Sequence, residues 1–356
     1  MRHLEILLPF SLPPPELARD LLRELQLPAL ASLLGHASAA PTAASGDAAA
    51  RSGFERALPH ETWLAHRFGM ADGLKAGGSP PVAAALMRHL ELPITPGHWF
   101  IVEPVHFHIA RDHLVLADPR QLELTEAEAR SLYDSAVPSF AECGMTLLYG
   151  TADYWFAHAD AHRTLQTATP DATCGHNIDI WMPQGDSARA WRKLQNTLQM
   201  DWHAHPVNIV RAARGAVPTN SVWLWGGSTV PEPVAQADLP AVFGLHGWMR
   251  AFGDRVPLTM PAADAAALLA APAADGLLVL DALLGPALNS DWAEWRDQLQ
   301  TLETRWFAPL LAALSTGKIA GIACIMTDAA RLQRCTTTRT ALRKFWRRPS
   351  LAGLLP

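Results

Sequence analysis

HPVNIVRAARGAVPTNSVWLWGG, residues 205–227, is the stretch on which the reading of the fold turns. It follows a long helix predicted over Ser187–His203, in which Trp191, Leu194, Leu198 and Trp202 recur near the helical period of about 3.6 residues and so share one face. His203 and His205 flank the end of that helix, where the dipole favours an imidazole. The chain then turns through His205, Pro206, Val207 and Asn208. Ser221–Trp225, dense in large apolar side chains, reads as a buried strand. Asn220, Trp223 and Trp225 are expected to secure a junction between a core and an insertion. Arg211 is the residue of the block expected to touch an anionic small molecule.

Working outward, Leu4–Leu8 reads as a short buried strand and Pro13–Leu25 as a helix with a proline-rich start. Residues 36–52 are rich in Ala, Ser, Gly, Thr and Pro without apolar periodicity, which marks a surface loop. Helices are predicted over Glu61–Met70 and Pro81–Leu92. Trp99–His108 and His113–Ala117 read as two strands of a hairpin, and Thr125 three residues before Glu128 forms a capping-box helix start. Met145–Tyr149 and Tyr154–His158 are again strand-like. After Trp223 an α/β rhythm returns, with strands at Leu277–Leu280 and Ile319–Met326 and a long helix over Trp292–Leu314. The predicted architecture is an α/β core with a mixed sheet flanked by helices, formed by residues 1–95 and 218–356 and interrupted by a smaller α+β domain over 96–217.

Composition narrows the function. With 49% hydrophobic and 18% charged residues in 356, the chain reads as an ordinary globular protein with ample core. A net charge of −5 gives no global attraction to nucleic acid or to anionic lipid. The four cysteines, Cys143, Cys174, Cys324 and Cys335, form no CxxC pair, so neither a zinc ribbon nor a disulfide framework is suggested. Glu5 and Pro9 interrupt the apolar N-terminus, and no apolar run reaches the roughly 18 to 20 residues needed to span a bilayer. A soluble protein of the cytoplasm is expected, with no membrane partner.

The 205–227 block resembles the HPVN…R…G…P-x-N-x-I/V-W-L-W-G segment of the archaeal-type cofactor-independent phosphoglycerate mutases of the alkaline-phosphatase superfamily. LTEAEARSLYDSAVPSF and MTLLYGTADYWFAH occupy the places of that family's helix and "fyPGvSYRHLlv" strand, in the same order. PHETWLAHRFG at 59–69 is similar to its "SDxAHLSLLGYDP" turn, and LPALASLLGHA at 27–37 to its "PtLeeLar" opening. The chain also resembles a bacterial branch of regulatory proteins of the RpfE type. The resemblance implies an alkaline-phosphatase-like core with an inserted domain that closes over phosphoglycerate. It also implies two divalent metals, manganese or zinc, held by Asp and His, and a serine that carries the phosphoryl group. Such metals polarise phosphoryl oxygens and activate the attacking hydroxyl.

Where those groups should stand, this chain departs from the pattern. Leu8, Pro9 and Phe10 replace the metal-binding Asp-Gly after the first strand. His60 falls at the serine, Glu61 follows it, and Thr62 is the one hydroxyl that a shifted nucleophile could use. Asp281 and Asp291 remain near the family's Asp-x-x-x-His segment, without its histidine. Thr327-Asp328-Ala329 stands for Thr-Asp-His, so Asp328 is a vestigial ligand, and Cys335-Thr336-Thr337 replaces Ser-His-Thr. Trp155 replaces the substrate-pairing arginine, which removes a fork for bidentate anion binding.

Other constellations carry weaker readings. His106 and His108 project from one face of a strand and would ligate zinc if a third donor arrived. Cys174, His176, Asn177 and Asp179 stand where the family has its "PHDI" turn, and are read as a loop held by side-chain hydrogen bonds. Arg331, Arg334, Arg339, Arg343, Lys344, Arg347 and Arg348 form a basic run over 331–348 beside Phe345 and Trp346. That run is the sole candidate for nucleic acid, which is not the expected partner.

The expected function is therefore a catalytically degenerate phosphoglycerate-mutase-like protein, a regulatory or ligand-binding module without cofactor. Its ligand would be a small phosphorylated metabolite or a protein, bound near His176, Asn177, Asn208, Arg211 and Asn220. The alternative is an active metal-dependent mutase or phosphohydrolase with an atypical site, which would require manganese or zinc.

Overall fold

The computed structural model describes residues 2–39, 55–70, 74, 78–231, 236–261, 263–271 and 275–355. The chain divides into two compact units. The first comprises Met1–Arg51, Gln236–Met249 and Arg255–Pro356, and the second Ser52–Ala235 and Arg250–Asp254.

Thirteen strands occur among the described residues: β1 (Arg2–Leu8), β2 (Ser38–Ala39), β3 (Gly97–Val105), β4 (Phe107–Ala110), β5 (His113–Leu116), β6 (Thr146–Tyr149), β7 (Trp155–His158), β8 (Ser221–Val230), β9 (Val242–Phe243), β10 (Thr259–Met260), β11 (Gly276–Val279), β12 (Ile319–Thr327) and β13 (Leu332–Thr338). In the first unit seven of them make one sheet in the order β10-β9-β11-β1-β12-β13-β2. Its members from β10 to β12 are parallel, whereas β13 pairs antiparallel with β12. The sheet is thus mixed and flanked by helices, the α/β class expected.

Leu4, Ile6, Leu7 and Leu8 are all buried, because β1 lies between two parallel neighbours and both its faces are covered. Against the sheet pack Trp295, Leu299, Trp306, Phe307, Leu310 and Leu314. They come from Trp292–Leu302 and Ala308–Thr316, two helical stretches joined through a π-turn at Glu303–Phe307. The turn brings the buried Glu303 carboxylate to the start of the helix Pro28–His36, where it accepts the Ala29 and Leu30 N–H groups at 2.6 and 3.0 Å. A carboxylate there satisfies orphan donors and complements the helix dipole.

The second unit holds a four-stranded antiparallel sheet, β6-β7-β3-β8, and the hairpin β4-β5. The helix Ala188–His203 buries Trp191, Leu194, Leu198 and Trp202, the face predicted from periodicity. The Trp202 indole N–H reaches Ser135 Oγ at 2.9 Å on the helix Glu126–Glu142, whose Thr125 cap and Glu128 close the capping box.

The segment 96–217, expected as the insertion, lies wholly within this unit, which is wider at both ends. It also takes in 52–95 and 218–235. Ser221–Trp225, expected in the core sheet, pairs instead with β3. Val222, Trp223, Leu224 and Trp225 are all buried, so both faces of β8 need cover, and the nine-residue β3 supplies a partner along most of its length. The strand expected over Trp99–His108 is two, broken at His106. The loop expected over 36–52 lies mostly outside the described residues; Ser38–Ala39 form the edge strand β2. No helix among the described residues is long and apolar enough to cross a membrane.

Candidate functional site

In an open parallel sheet, ligands gather beyond the carboxyl ends of the strands. At that edge of the first unit, β1 runs into Leu8, Pro9 and Phe10. Phe10 adopts a φ of 53°; its N–H donates to Thr327 Oγ1 at 3.3 Å and its carbonyl accepts the Trp295 indole at 2.8 Å. Ser11 Oγ donates to Leu8 O at 2.8 Å. After β12, Asp328 accepts the Ala330 and Arg331 N–H groups at 2.8 and 2.6 Å and pairs with Arg331 Nε at 2.6 Å. Asp291 caps the helix Trp292–Leu302. Asp281, beyond β11, has His246 Nδ1 3.6 Å from its Oδ1, a pair missed in the sequence because nothing in its spacing marks it. Most of the polar groups here are thus engaged in turns, caps and strand ends.

The second unit contains a denser polar group. Pro59 opens the helix Pro59–Arg67, with His60 and Glu61 in its first turn. Glu61 Oε2 accepts the Leu58 N–H at 2.6 Å and the Thr169 hydroxyl at 2.8 Å. Thr169 caps the short helix Pro170–Thr173, and the Trp223 indole holds the preceding Ala168 carbonyl at 2.8 Å. Asp171, in that helix, is forked by Arg120 at 2.9 and 3.3 Å, and Arg120 Nε lies 2.8 Å from Asp118 Oδ1. One ligand atom each from His60, Glu61 and Asp171 lies within 4.8 Å of the other two, so this trio can hold a metal ion.

Burial dominates the electrostatics here. Together with Asp171 it pushes the Glu61 carboxyl up to about 8 and that of Glu103, on β3, well above the usual range. Glu103 accepts the Trp225 indole N–H at 3.0 Å. Burial, Asp118 and Asp171 push the Cys174 thiol up to about 12, which keeps it protonated and a poor nucleophile. Each of these groups needs the fold to meet the others. Glu61 is read from the sequence only as a replacement for an aspartate, whereas Glu103, Asp118, Arg120, Thr169 and Asp171 share no spacing that would have found them.

Three of the residues expected to bind ligand, Asn208, Arg211 and Asn220, are held by hydrogen bonds within the fold. Asn208 Nδ2 donates to the Trp202 and Thr219 carbonyls at 2.8 and 2.7 Å, and its Oδ1 accepts the Thr219 N–H at 2.9 Å. Asn220 clamps Phe107 at both its N–H and its carbonyl, each at 2.8 Å. Arg211 is 1% exposed. It donates to Val217 O at 2.8 Å, to Glu128 at 2.9 Å and to Leu122 O. These bonds anchor the Asn208, Arg211 and Asn220 side chains within the fold. His176 is exposed beside Trp181, with ring centroids 6.0 Å apart, and Asn177 Oδ1 caps the turn Ile178–Trp181. Thr62 is half-buried in the helix after His60. His106 donates from Nδ1 to Pro218 O at 2.8 Å, and burial lowers its pKa. The His106 and His108 rings lie 6.3 Å apart, and among the described residues no third donor joins them.

No family model matches the chain. A probable 2,3-bisphosphoglycerate-independent phosphoglycerate mutase of Geobacter sulfurreducens is 27% identical over 158 residues, 42% of this chain and 37% of that protein. The 2,3-bisphosphoglycerate-independent phosphoglycerate mutase of Methanosarcina mazei is 32% identical over 63 residues, 18% and 16% of the two chains. Distant homologues of the chain are thus cofactor-independent phosphoglycerate mutases, although the matches span well under half of their length. Among solved structures, the PH0037 protein from Pyrococcus horikoshii covers 94% of this chain, with 86% of its own covered, at a TM-score of 0.51 and 10% identity, which shows a shared fold. The cofactor-independent phosphoglycerate mutase from Thermoplasma acidophilum aligns over 95% of this chain and 89% of its own, at a TM-score of 0.41 and 14% identity.

Proposed function

We propose that the chain is a phosphoglycerate-mutase-like protein that no longer transfers phosphoryl groups and acts as a binding or regulatory module in the cytoplasm. Its ligand is a small phosphorylated metabolite or a protein partner. The observation that carries the reading is the donor set at the carboxyl edge of the parallel strands. A two-metal phosphoryl-transfer centre needs several oxygen and imidazole donors converging on each ion at about 2.0–2.3 Å. At that edge most ligand positions are apolar or spent. Leu8, Pro9 and Phe10 offer no side-chain oxygen, and the Asp328 carboxylate is held by its own turn and by Arg331. His246 and Asp281 are too few for two ions. The metal pair that the resemblance implies therefore does not fit these residues.

The reading is tested with purified, untagged protein supplied in turn with manganese, zinc and magnesium, following 3- to 2-phosphoglycerate interconversion by phosphorus NMR. No interconversion above the protein-free rate is expected. Turnover that disappears with EDTA would return the chain to the working mutases.

A further inference from the structure

We propose that His60, Glu61 and Asp171 bind one divalent cation, zinc or manganese, in the interior of the second unit. The site is not the metal pair that the resemblance implies, because the positions read as that pair's ligands, Leu8, Pro9, Phe10, Asp281, Asp291 and Asp328, are other residues of the chain, although His60 falls at the family's serine. It is independent of the proposed function, which rests on other residues in the other unit.

Charge balance is the first reason. Glu61, Asp118, Asp171 and Glu103 are each at most 9% exposed, and the guanidinium that acts on this group is that of Arg120. If all four were ionised, these carboxyl groups would outnumber the guanidinium that acts on them among the described residues and leave an excess of negative charge in the interior, where an unpaired charge is costly. Either protons or a cation must offset it.

A second observation favours the cation. Glu61 is fully buried, and while Oε2 takes two hydrogen bonds, Oε1 has no hydrogen-bond partner among the described residues. A buried carboxylate oxygen without a donor is expensive, and a metal ion is the partner that a lone acceptor oxygen, an imidazole nitrogen and a second carboxylate can share. One nitrogen and two oxygens suit zinc or manganese better than magnesium, which prefers oxygen and water. The donors are also held in place. Leu58 and Thr169 fix the Glu61 carboxylate, and the Arg120 fork fixes Asp171, the kind of outer support that orients metal ligands. Arg120 weakens binding by its charge, but the remaining carboxylates outweigh it. Three protein donors leave a fourth position for water or an added ligand.

The test uses the full-length, untagged protein, stripped with chelator and dialysed against 100 µM zinc, manganese or magnesium at neutral pH, with metal counted by mass spectrometry. About one equivalent of zinc or manganese should be retained, with a melting temperature raised by several degrees, and no magnesium. Glu61→Gln and Asp171→Asn should each weaken binding at least tenfold, whereas a His106→Ala/His108→Ala double variant should bind as wild type does. Wild-type protein retaining less than a tenth of an equivalent, without a thermal shift, overturns the proposal and leaves the excess charge to be met by protons. Undiminished binding in folded Glu61→Gln overturns it too, because the ion then sits elsewhere. If one of these variants fails to fold, the wild-type count and the other variant decide. Metal bound without mutase turnover leaves the proposed function standing, and turnover without metal at this site would overturn that reading and this one separately.

Discussion

Arg211 illustrates what a single side chain does here. Its guanidinium sits at 1% exposure, paired with Glu128 and donating to the Leu122 and Val217 carbonyls. Removing it strands two carbonyls and takes one cation from a carboxylate that keeps a second, Arg214, at 2.7 Å. Because Glu128 keeps that partner, the cost of Arg211→Ala is expected near the lower end of the range for a broken buried pair, about 3 kcal/mol, measured by urea unfolding. Arg211→Lys should recover little of it, since an ammonium cannot reproduce the fork. A folded, near-wild-type Arg211→Ala that lost an anionic ligand would support the ligand contact expected of it. An arginine in a distinctive block suggests anion binding, and the sequence carries no sign of a Glu128 that lies 83 residues away. The same holds for Glu61 and Asp171, whose partners come from distant turns.

At the scale of elements, the antiparallel pairing of β12 with β13 sets Cys324 directly across from Cys335. Both are buried free thiols. Burial and the neighbouring Cys335 push Cys324 up to about 12, and burial raises Cys335 as well. Since the thiolate is the reactive form, these two and Cys174 should ignore a disulfide reagent in native protein. Only Cys143, half-exposed at the end of the helix Glu126–Glu142, should react. With Ellman's reagent near pH 8, one thiol is expected before denaturation and four after it, and Cys143→Ser should remove the early one. Two or more fast native thiols would mean that β12–β13 opens readily. Local patterns revealed most helices, because apolar spacing and caps act within a few residues: the face of Ala188–His203 and the Thr125–Glu128 box were both legible. The partner of a strand was less so. Ser221–Trp225 is a strand in both readings, but which sheet receives it depends on β3, more than a hundred residues earlier.

For the whole molecule, the second unit is nearly continuous in sequence, with only Arg250–Asp254 lying apart from 52–235, and carries its own sheet and core. A fragment of residues 52–235 is expected to fold and melt cooperatively, followed by circular dichroism. It should do so at a lower temperature than the unit in the full chain, because Phe252, stacked on Phe68 with centroids 4.7 Å apart, is lost. A fragment without a cooperative transition would show that the unit depends on the rest of the chain. The sequence alone determined the α/β class, the buried strands at Leu4–Leu8 and Ile319–Met326, the main helices and the apolar replacement of the first strand-end ligand position. Each of these follows from side-chain period and residue type along a short window. Only the tertiary structure decided the limits of the two units, the home of β8, the hydrogen-bond partners of Asn208, Arg211 and Asn220, and the meeting of His60, Glu61 and Asp171. Glu61 and Asp171 stand 110 positions apart, and an approach over that separation is set by how loops and sheet edges close in space, which no local period records.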